Sequence, residues 1–423
     1  MKILFLSHRT PYPPNKGEKI RAFHVLSNLV KHHDVTLVYW VDDPSDFAHT
    51  SFLRSLCRGQ VVPLRLNRFR AKCRALFSLL RGRSFSEGYY SSRAFQSAVR
   101  RVCSGGGFDV VYAFSSSVAF YARKIESKVK IVDFVDVDSD KWGQLAEVST
   151  FPLSILYRLE QKRLLGYELE VSRWADRSVF ISATEAQLFK AKGGAGTIDV
   201  LPSGMELELR RLPRDQVPFC SLGGPNGGTT PMIKVIFVGT MNYYPNVDAA
   251  SYFAKEIFPL IRQQFPKAEF IIVGRSPAKA VRQLKNIDGV FVVGEVRDTR
   301  PYLLSADVSV APMRLARGVQ YKVLEAMAMG IPVVATAAAI QGIDVRGEEE
   351  LLVGNSAEGF AAQVIRLLSD AELRKTITKR AWNKMHQLYS WDAIGAKLEA
   401  FLTPVPKRSL KDVDHAAISF KQG

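Results

Sequence analysis

"DVSVAPMRLARGVQYKVLEAMAMGIPVVAT", residues 307–336, joins two short apolar runs through a stretch of different periodicity. The first run ends at Pro312, and a loop follows in which Arg314 and Arg317 precede Gly318. Residues 319–330 then place Val, Leu, Ala and Met at helical spacing and close on Gly330. A β-branched run, a helix and another β-branched run make one crossover of a parallel sheet covered on both faces. The cations are on the wrong side for stability alone, because a helix N-terminus already carries partial positive charge. Arg317 and Lys322, with the amides of Gly318, Val319 and Gln320, form the sort of site that holds a diphosphate. Glu325 lies further along the same helix, where its two oxygens can accept hydrogen bonds from sugar hydroxyls. The bland alternative is a solvated loop with a surface acid.

The same pattern extends outward in both directions. Strands are predicted at 2–7, 34–40, 109–114, 130–135 and 178–182, and again at 234–239, 269–274, 290–294, 307–312 and 331–336. Between the two sets, "RRLPRDQVPFCSLGGPNGGTTP" (210–231) has no period and is dense in Gly and Pro, as an interdomain linker would be. The predicted fold is α/β, with two facing Rossmann-like doubly wound domains, 1–209 and 232–402, and a cleft between them. A structureless tail is expected over 403–423. Ligands in such sheets bind beyond the carboxyl ends of the strands.

The chain has 423 residues, enough for two domains. Its formal charge of +17 calls for an acidic partner. Four scattered cysteines without a CxxC pair argue against a metal centre or a disulfide framework. The start "MKILFLSHRT" reads as a first strand rather than a leader. No apolar window is long enough to span a bilayer. A cytoplasmic protein, peripheral at the inner face of the plasma membrane, is the expectation.

"GVQYKVLEAMAMGIPVVAT" (318–336) resembles the signature of glycosyltransferase family 4, whose members have the GT-B fold. It is similar in particular to bacterial sugar transferases of exopolysaccharide and PEP-CTERM loci. "SHRTPYPPNKGEKIRAFHVLSNL", "FVGTMNYYPNVDAASYF", "PKAEFIIVG" and "SWDAIGAKLEAFL" extend the likeness along the chain. The resemblance implies a retaining, metal-independent transferase that moves a sugar from a nucleoside diphosphate, such as a UDP-sugar, to a hydroxyl acceptor, with no cofactor. Glu325 would bind the ribose, Lys322 and the 318–320 amides the diphosphate, and the loop at Arg297 the base. Gly239, Thr240 and Asn242 would line the donor loop, and Gly17 would let the backbone approach the donor phosphate. Two departures stand out. Arg317 occupies the first position of the family's E-x7-E pair, and Thr240 stands where many relatives carry Arg. Arg317 and Lys322 could restore that charge.

On the acceptor side, Asp136, Asp138 and Asp140 cluster after a predicted strand, either as a turn-and-cap group or with Asp138 orienting the acceptor hydroxyl. His8 and Arg21 are assigned to the same side, although a histidine in such a position is more often a loop-packing residue than a catalyst. Asp138, Lys322 and Glu325 are the catalytic candidates. From residue 61 to 101 there are ten Lys/Arg against Glu87 alone. Over 65–83, Leu66, Phe69, Cys73, Leu76, Phe77 and Leu80 form one helical stripe between Arg68, Arg70, Lys72 and Arg74. Such a segment suits an anionic membrane surface and a lipid-linked or glycan acceptor, or else a core-facing helix with solvated sides. A nucleotide-sugar epimerase of the same fold, or a basic polyanion-binding protein, are the rival readings. No nucleic-acid-binding motif accompanies the charge, and neither GxGxxG nor GxxxxGK[ST] is present.

Overall fold

The apolar runs of the first half pair in parallel, because each is buried on both faces and needs a helix to return the chain. The computed structural model describes residues 1–14, 17–205, 207, 233–316 and 318–404. The 210–231 linker, Arg317 and residues 405–423 of the tail lie outside the described residues. The first sheet comprises β1 (Lys2–Ser7), β2 (Asp34–Val41), β3 (Val61–Arg65), β4 (Val110–Phe114), β5 (Val129–Val135), β6 (Arg177–Phe180) and β7 (Ile198–Val200), in the order β3-β2-β1-β4-β5-β6-β7. The second comprises β8 (Lys234–Val238), β9 (Glu269–Val273), β10 (Val290–Gly294), β11 (Val308–Ala311), β12 (Val333–Ala335) and β13 (Leu352–Val353), ordered β10-β9-β8-β11-β12-β13. Every pairing between these strands is parallel. The order reverses between β1 and β4 in one sheet and between β8 and β11 in the other. These are the topological switch points beside which ligands bind.

Three strands escape the hydrophobic pattern, and all lie at sheet edges. β3 carries Pro63, which an edge position tolerates because one side of the strand makes no ladder bonds. β7 and β13 have three and two residues.

Two compact units result. One holds Met1–Phe180, Ala186–Leu201 and the chain from Gly395 on; the other holds Ile181–Glu185 and Pro202–Ile394. The last helix, Trp391–Phe401, begins in the second unit and ends in the first. The predicted second domain, 232–402, includes the whole of this helix. In the first unit, His33 Nε2 lies 2.9 Å from Glu399, and a Cβ on Gly395 would sit 2.7 Å from Asn28 Oδ1.

Arg21 requires a correction. Assigned to the acceptor side, it is instead 1% exposed within the first unit. Its Nε and Nη2 each donate to the Asp133 carboxylate at 3.0 Å, and Nη1 donates to the Leu201 carbonyl at 2.6 Å. Tyr112 donates to the same carboxylate at 2.7 Å. Arg21 ties helix Gly17–His32 to β5 and to the chain leaving β7. Buried and bonded through all three of its nitrogens, it acts as a structural clamp.

Candidate active site

At the switch point of the second sheet, β8 ends in the loop Gly239–Tyr243 and helix Tyr244–Tyr252 follows. Gly274, at the end of β9, has φ +153°, and a Cβ there would lie 1.6 Å from the Gly239 carbonyl oxygen. Only glycine lets the two strand ends meet so closely. The first turn of that helix presents Asn246, which is 6% exposed and donates to the Thr240 carbonyl at 3.0 Å. Its Oδ1 accepts from Lys322 Nζ at 2.5 Å. The same ammonium lies 3.6 Å from Met313 Sδ and 4.6 Å from the centre of the Phe237 ring.

Lys322 is therefore held beside an amide oxygen, a thioether and an aromatic face. Burial pulls its pKa down to about 8, and nearby Glu325 offsets part of that fall. Burial pushes the Glu325 carboxyl up, and Asp298, in the loop after β10, pushes it the same way against Lys322. A cation without a full counter-charge, next to a half-buried carboxylate, is an arrangement stabilised by an incoming anion that brings hydroxyls.

The helix Tyr321–Ala328 starts later than the sequence suggests. Gln320 is its N-cap, and Val323 already donates to the Gln320 carbonyl at 3.0 Å. The amides of Gly318 and Val319 thus belong to the loop and not to the helix end. Gly318 takes φ +63°, and its carbonyl packs 3.0 Å from where a Cβ on Gly342 would sit. Arg314, counted among the cations around this helix, forms an ion pair with Asp248 and stacks 4.6 Å over the Tyr252 ring. Asn242 and Arg297 are exposed in the loops after β8 and β10. Asn246, four residues beyond Asn242, is the partner of Lys322 that sequence reasoning missed. Its signal was position: the first turn of the helix after β8.

In the first unit, the carboxyl ends of β1, β4 and β5 bring a second cluster together. His8 is 7% exposed; its Nδ1 donates to the Phe114 carbonyl at 3.3 Å, and its Nε2 lies 3.4 Å from Glu18. Glu18 also accepts from Arg9 at 3.0 Å. The contact from His8 is the largest cause holding the Glu18 carboxyl down to about 2. Gly17, exposed at the first turn of its helix, has open space where a Cβ would go.

Asp138 opens the helix Asp138–Val148, and Lys141 bridges it at 2.9 Å to Asp136 at 2.8 Å. Burial pushes the Asp138 carboxyl up against the pull of Lys141. Behind it lies Glu168, fully buried, accepting from Ser139 N at 3.2 Å and Ser139 Oγ at 2.5 Å; burial raises its carboxyl to about 8. Asp140 is paired with Lys192 at 3.0 Å, which sets it apart from the other two aspartates. Val135, just before the cluster, has φ +68°, and Ser115 at the end of β4 has φ +81°. A β-branched residue in that region is strained by roughly 1–3 kcal/mol and persists where the surroundings hold it for a purpose.

The basic segment forms a helix over Arg68–Leu80, following β3 rather than beginning at residue 65. Its buried face is the small one: Ala71, Ala75 and Ser78. Phe69, Leu76, Phe77 and Leu80 are 77%, 60%, 53% and 78% exposed, and Cys73 is exposed beside them. The apolar stripe therefore faces outward, which rules out the core-facing reading. Two assignments change. Leu66 precedes the helix and is buried, and Arg74 turns inward to donate to the Tyr89 carbonyl at 3.1 Å. A second exposed apolar group, unforeseen in the sequence, surrounds the start of helix Leu153–Trp174: Phe151, Leu153, Ile155 and Leu156. No described helix is long and apolar enough to cross a membrane.

Residues 233–370, the core of the second unit, match the family described as glycosyl transferases group 1. A phosphatidyl-myo-inositol mannosyltransferase of Mycolicibacterium smegmatis is 32% identical over 146 residues, 33% of this chain and 38% of that protein. The chain thus matches well under half of that relative's length. An uncharacterized 44.6 kDa protein in the cps region of Klebsiella pneumoniae is 21% identical over 92% of this chain and 96% of its own. Among solved structures, Anabaena HepE in complex with UDP superimposes with a TM-score of 0.66 at 15% identity, covering 96% of this chain and 100% of that one. Through residues 233–370 the chain is similar to the glycosyl transferases group 1 family, and its two Rossmann-like doubly wound units have the GT-B fold.

Proposed function

We propose that the protein transfers a sugar, with retention and without a metal, from a nucleoside diphosphate sugar of the UDP class to a hydroxyl acceptor. The observation that carries this reading is the desolvated Lys322 ammonium on Asn246 beside Glu325. Glu325 balances the ammonium only in part, and a departing diphosphate would complete the counter-charge. Solved structures of HepE carry UDP, and UDP-glucose in another crystal, on the same fold. In the transfer, the bond from the anomeric carbon to the diphosphate oxygen breaks and one to the acceptor oxygen forms. The acceptor proton passes to a carboxylate or to the leaving phosphate. Lys322 and the loop dipoles stabilise the charge that collects on the diphosphate. Glu325 holds the ribose. Gly239, Thr240 and Arg297 line the donor loops, and Arg317 adds charge. Asp138, with Asp136 and His8, serves the acceptor.

A thermal-shift panel of UDP-, GDP-, ADP- and dTDP-sugars tests the donor. One base class at about 100 times its Kd should raise Tm by roughly 5–10 °C. No shift from any donor would contradict the reading. The protonated Lys322 is the active form and is lost as pH rises through about 8. The kcat/KM profile is therefore expected to fall above that pH; a profile flat through it would remove the ammonium from the mechanism.

The acceptor is proposed to be a lipid-linked or polysaccharide precursor in exopolysaccharide assembly, met at the cytoplasmic face of the membrane. The outward apolar stripe of helix Arg68–Leu80, flanked by Arg70 and Lys72, supports this. Leu76→Gln with Leu80→Gln should cut partitioning onto anionic vesicles at least about tenfold, since each Leu loses its apolar burial. Stability should not change, because both side chains are exposed. Undiminished vesicle binding would exclude this helix as the anchor.

A further inference from the structure

Beside the outward stripe of helix Arg68–Leu80 lies a cavity of about 500 Å³ that the transfer reaction does not use. Arg74, Phe77, Arg81, Arg83, Glu87 and Phe120 form its charged and aromatic walls. At about 100° per residue, Phe77 is the pivot of the helix surface. Leu80, Cys73, Phe69 and Leu76 fan out on one side of it, and Arg81 and Arg74 on the other. The Arg81 guanidinium lies 4.1 Å from the centre of the Phe77 ring. Among the described residues, no acid forms an ion pair with Arg74, Arg81 or Arg83. Arg74 spends one nitrogen on the Tyr89 carbonyl, while its Nε is buried with no hydrogen-bond partner. A buried guanidinium N–H left unpaired is rare and costly, and it marks a place for an acceptor. The one acid in the wall, Glu87, accepts from Ser84 N at 3.3 Å within its capping box.

We infer that this cavity receives the phosphate ester of an anionic membrane lipid, whose acyl chains run beside Phe77, Leu80 and Leu76. Three guanidinium groups around one space match the several oxygens of a phosphate. The apolar arc that begins at Phe77 continues where the lipid's chains would lie. The inference rests on the membrane reading above and names the group recognised there. A short chain of contacts links the cavity wall to the acceptor-side cluster: Arg74 donates to the Tyr89 carbonyl, and the next residue, Tyr90, packs edge-on against His8 with ring centres 5.8 Å apart.

The test compares Arg81→Ala/Arg83→Ala with Arg70→Ala/Lys72→Ala, which removes equal charge outside the cavity. Binding is measured to phosphatidylcholine vesicles doped with phosphatidylglycerol. The cavity pair should weaken binding at least about tenfold more than the surface pair, because it loses direct charge-assisted bonds. Equal losses would mean diffuse attraction and would overturn the inference. Inorganic phosphate, matched to the lipid phosphate at constant ionic strength, should leave vesicle binding unchanged; displacement would assign the cavity to free phosphate instead. Should the cavity pair misfold, Phe120→Trp reports on the intact arginines. Its fluorescence should change saturably with monomeric dihexanoyl-phosphatidylglycerol, and an unresponsive signal would overturn the site. A saturable response without vesicle binding would retain the cavity and discard the membrane reading.

Discussion

Lys322→Ala is expected to lower kcat by about 100- to 1,000-fold, the usual loss when one preorganised charge-stabilising donor is removed. The donor KM should rise far less. The reasoning starts from the surroundings of the ammonium. It is held by Asn246, Met313 and the Phe237 ring, and burial has already lowered its pKa to about 8. Desolvation of this kind is unfavourable in the free enzyme and is relieved most when negative charge peaks on the diphosphate. The benefit therefore falls mainly in the transition state, where it appears as kcat. Asn246→Ala should reproduce part of the loss, since it frees the ammonium to wander. Steady-state kinetics with a soluble acceptor would check both. An unchanged kcat in Lys322→Ala would exclude Lys322 from the chemistry.

Arg21→Ala should destabilise the first unit by about 3–5 kcal/mol, the cost of leaving a buried charge without its partner. Asp133 is wholly buried, and its carboxylate depends on Arg21 and Tyr112. The Leu201 carbonyl would lose its donor too. A loss of that size corresponds to a fall of roughly 6–20 °C in Tm for a unit of this length. Arg21→Met combined with Asp133→Asn should recover a large share, because no charge then remains buried. Chemical denaturation of the single and double variants measures both. A loss below about 1 kcal/mol for Arg21→Ala would mean that the pair is not the clamp its geometry describes.

The legibility of the fold followed burial. Strands buried on both faces, such as β1, β4, β8 and β9, are unbroken apolar runs and stand out in the sequence. The edge strands β3, β7 and β13 do not, because an edge needs little apolar side chain and tolerates Pro63. The donor crossover was readable because Lys322, Glu325 and Gly330 mark a helix and its ends. Its start was placed early, since nothing in "GVQY" announces that Gln320 is the cap. Arg21 was misread because sequence shows a charge early in a helix and conceals its partner, Asp133, 112 positions away. Asn246 and Glu168 were missed for the same reason: their roles depend on long-range contacts to Lys322 and Ser139. The outward turn of the basic helix was also hidden, because Ala71 and Ala75 pack as well as larger residues where helices approach closely. Hydrophobic pattern alone assigns the inside to the larger residues.

The most direct measurement is a titration calorimetry cycle on wild-type protein and Lys322→Ala, with the nucleoside mono- and diphosphate of the base that the thermal panel selects. A wild-type preference for the diphosphate of at least about tenfold, collapsing in the variant, is the result expected if Lys322 contributes a charge-assisted bond to the second phosphate. An equal preference for the diphosphate in both proteins would contradict it.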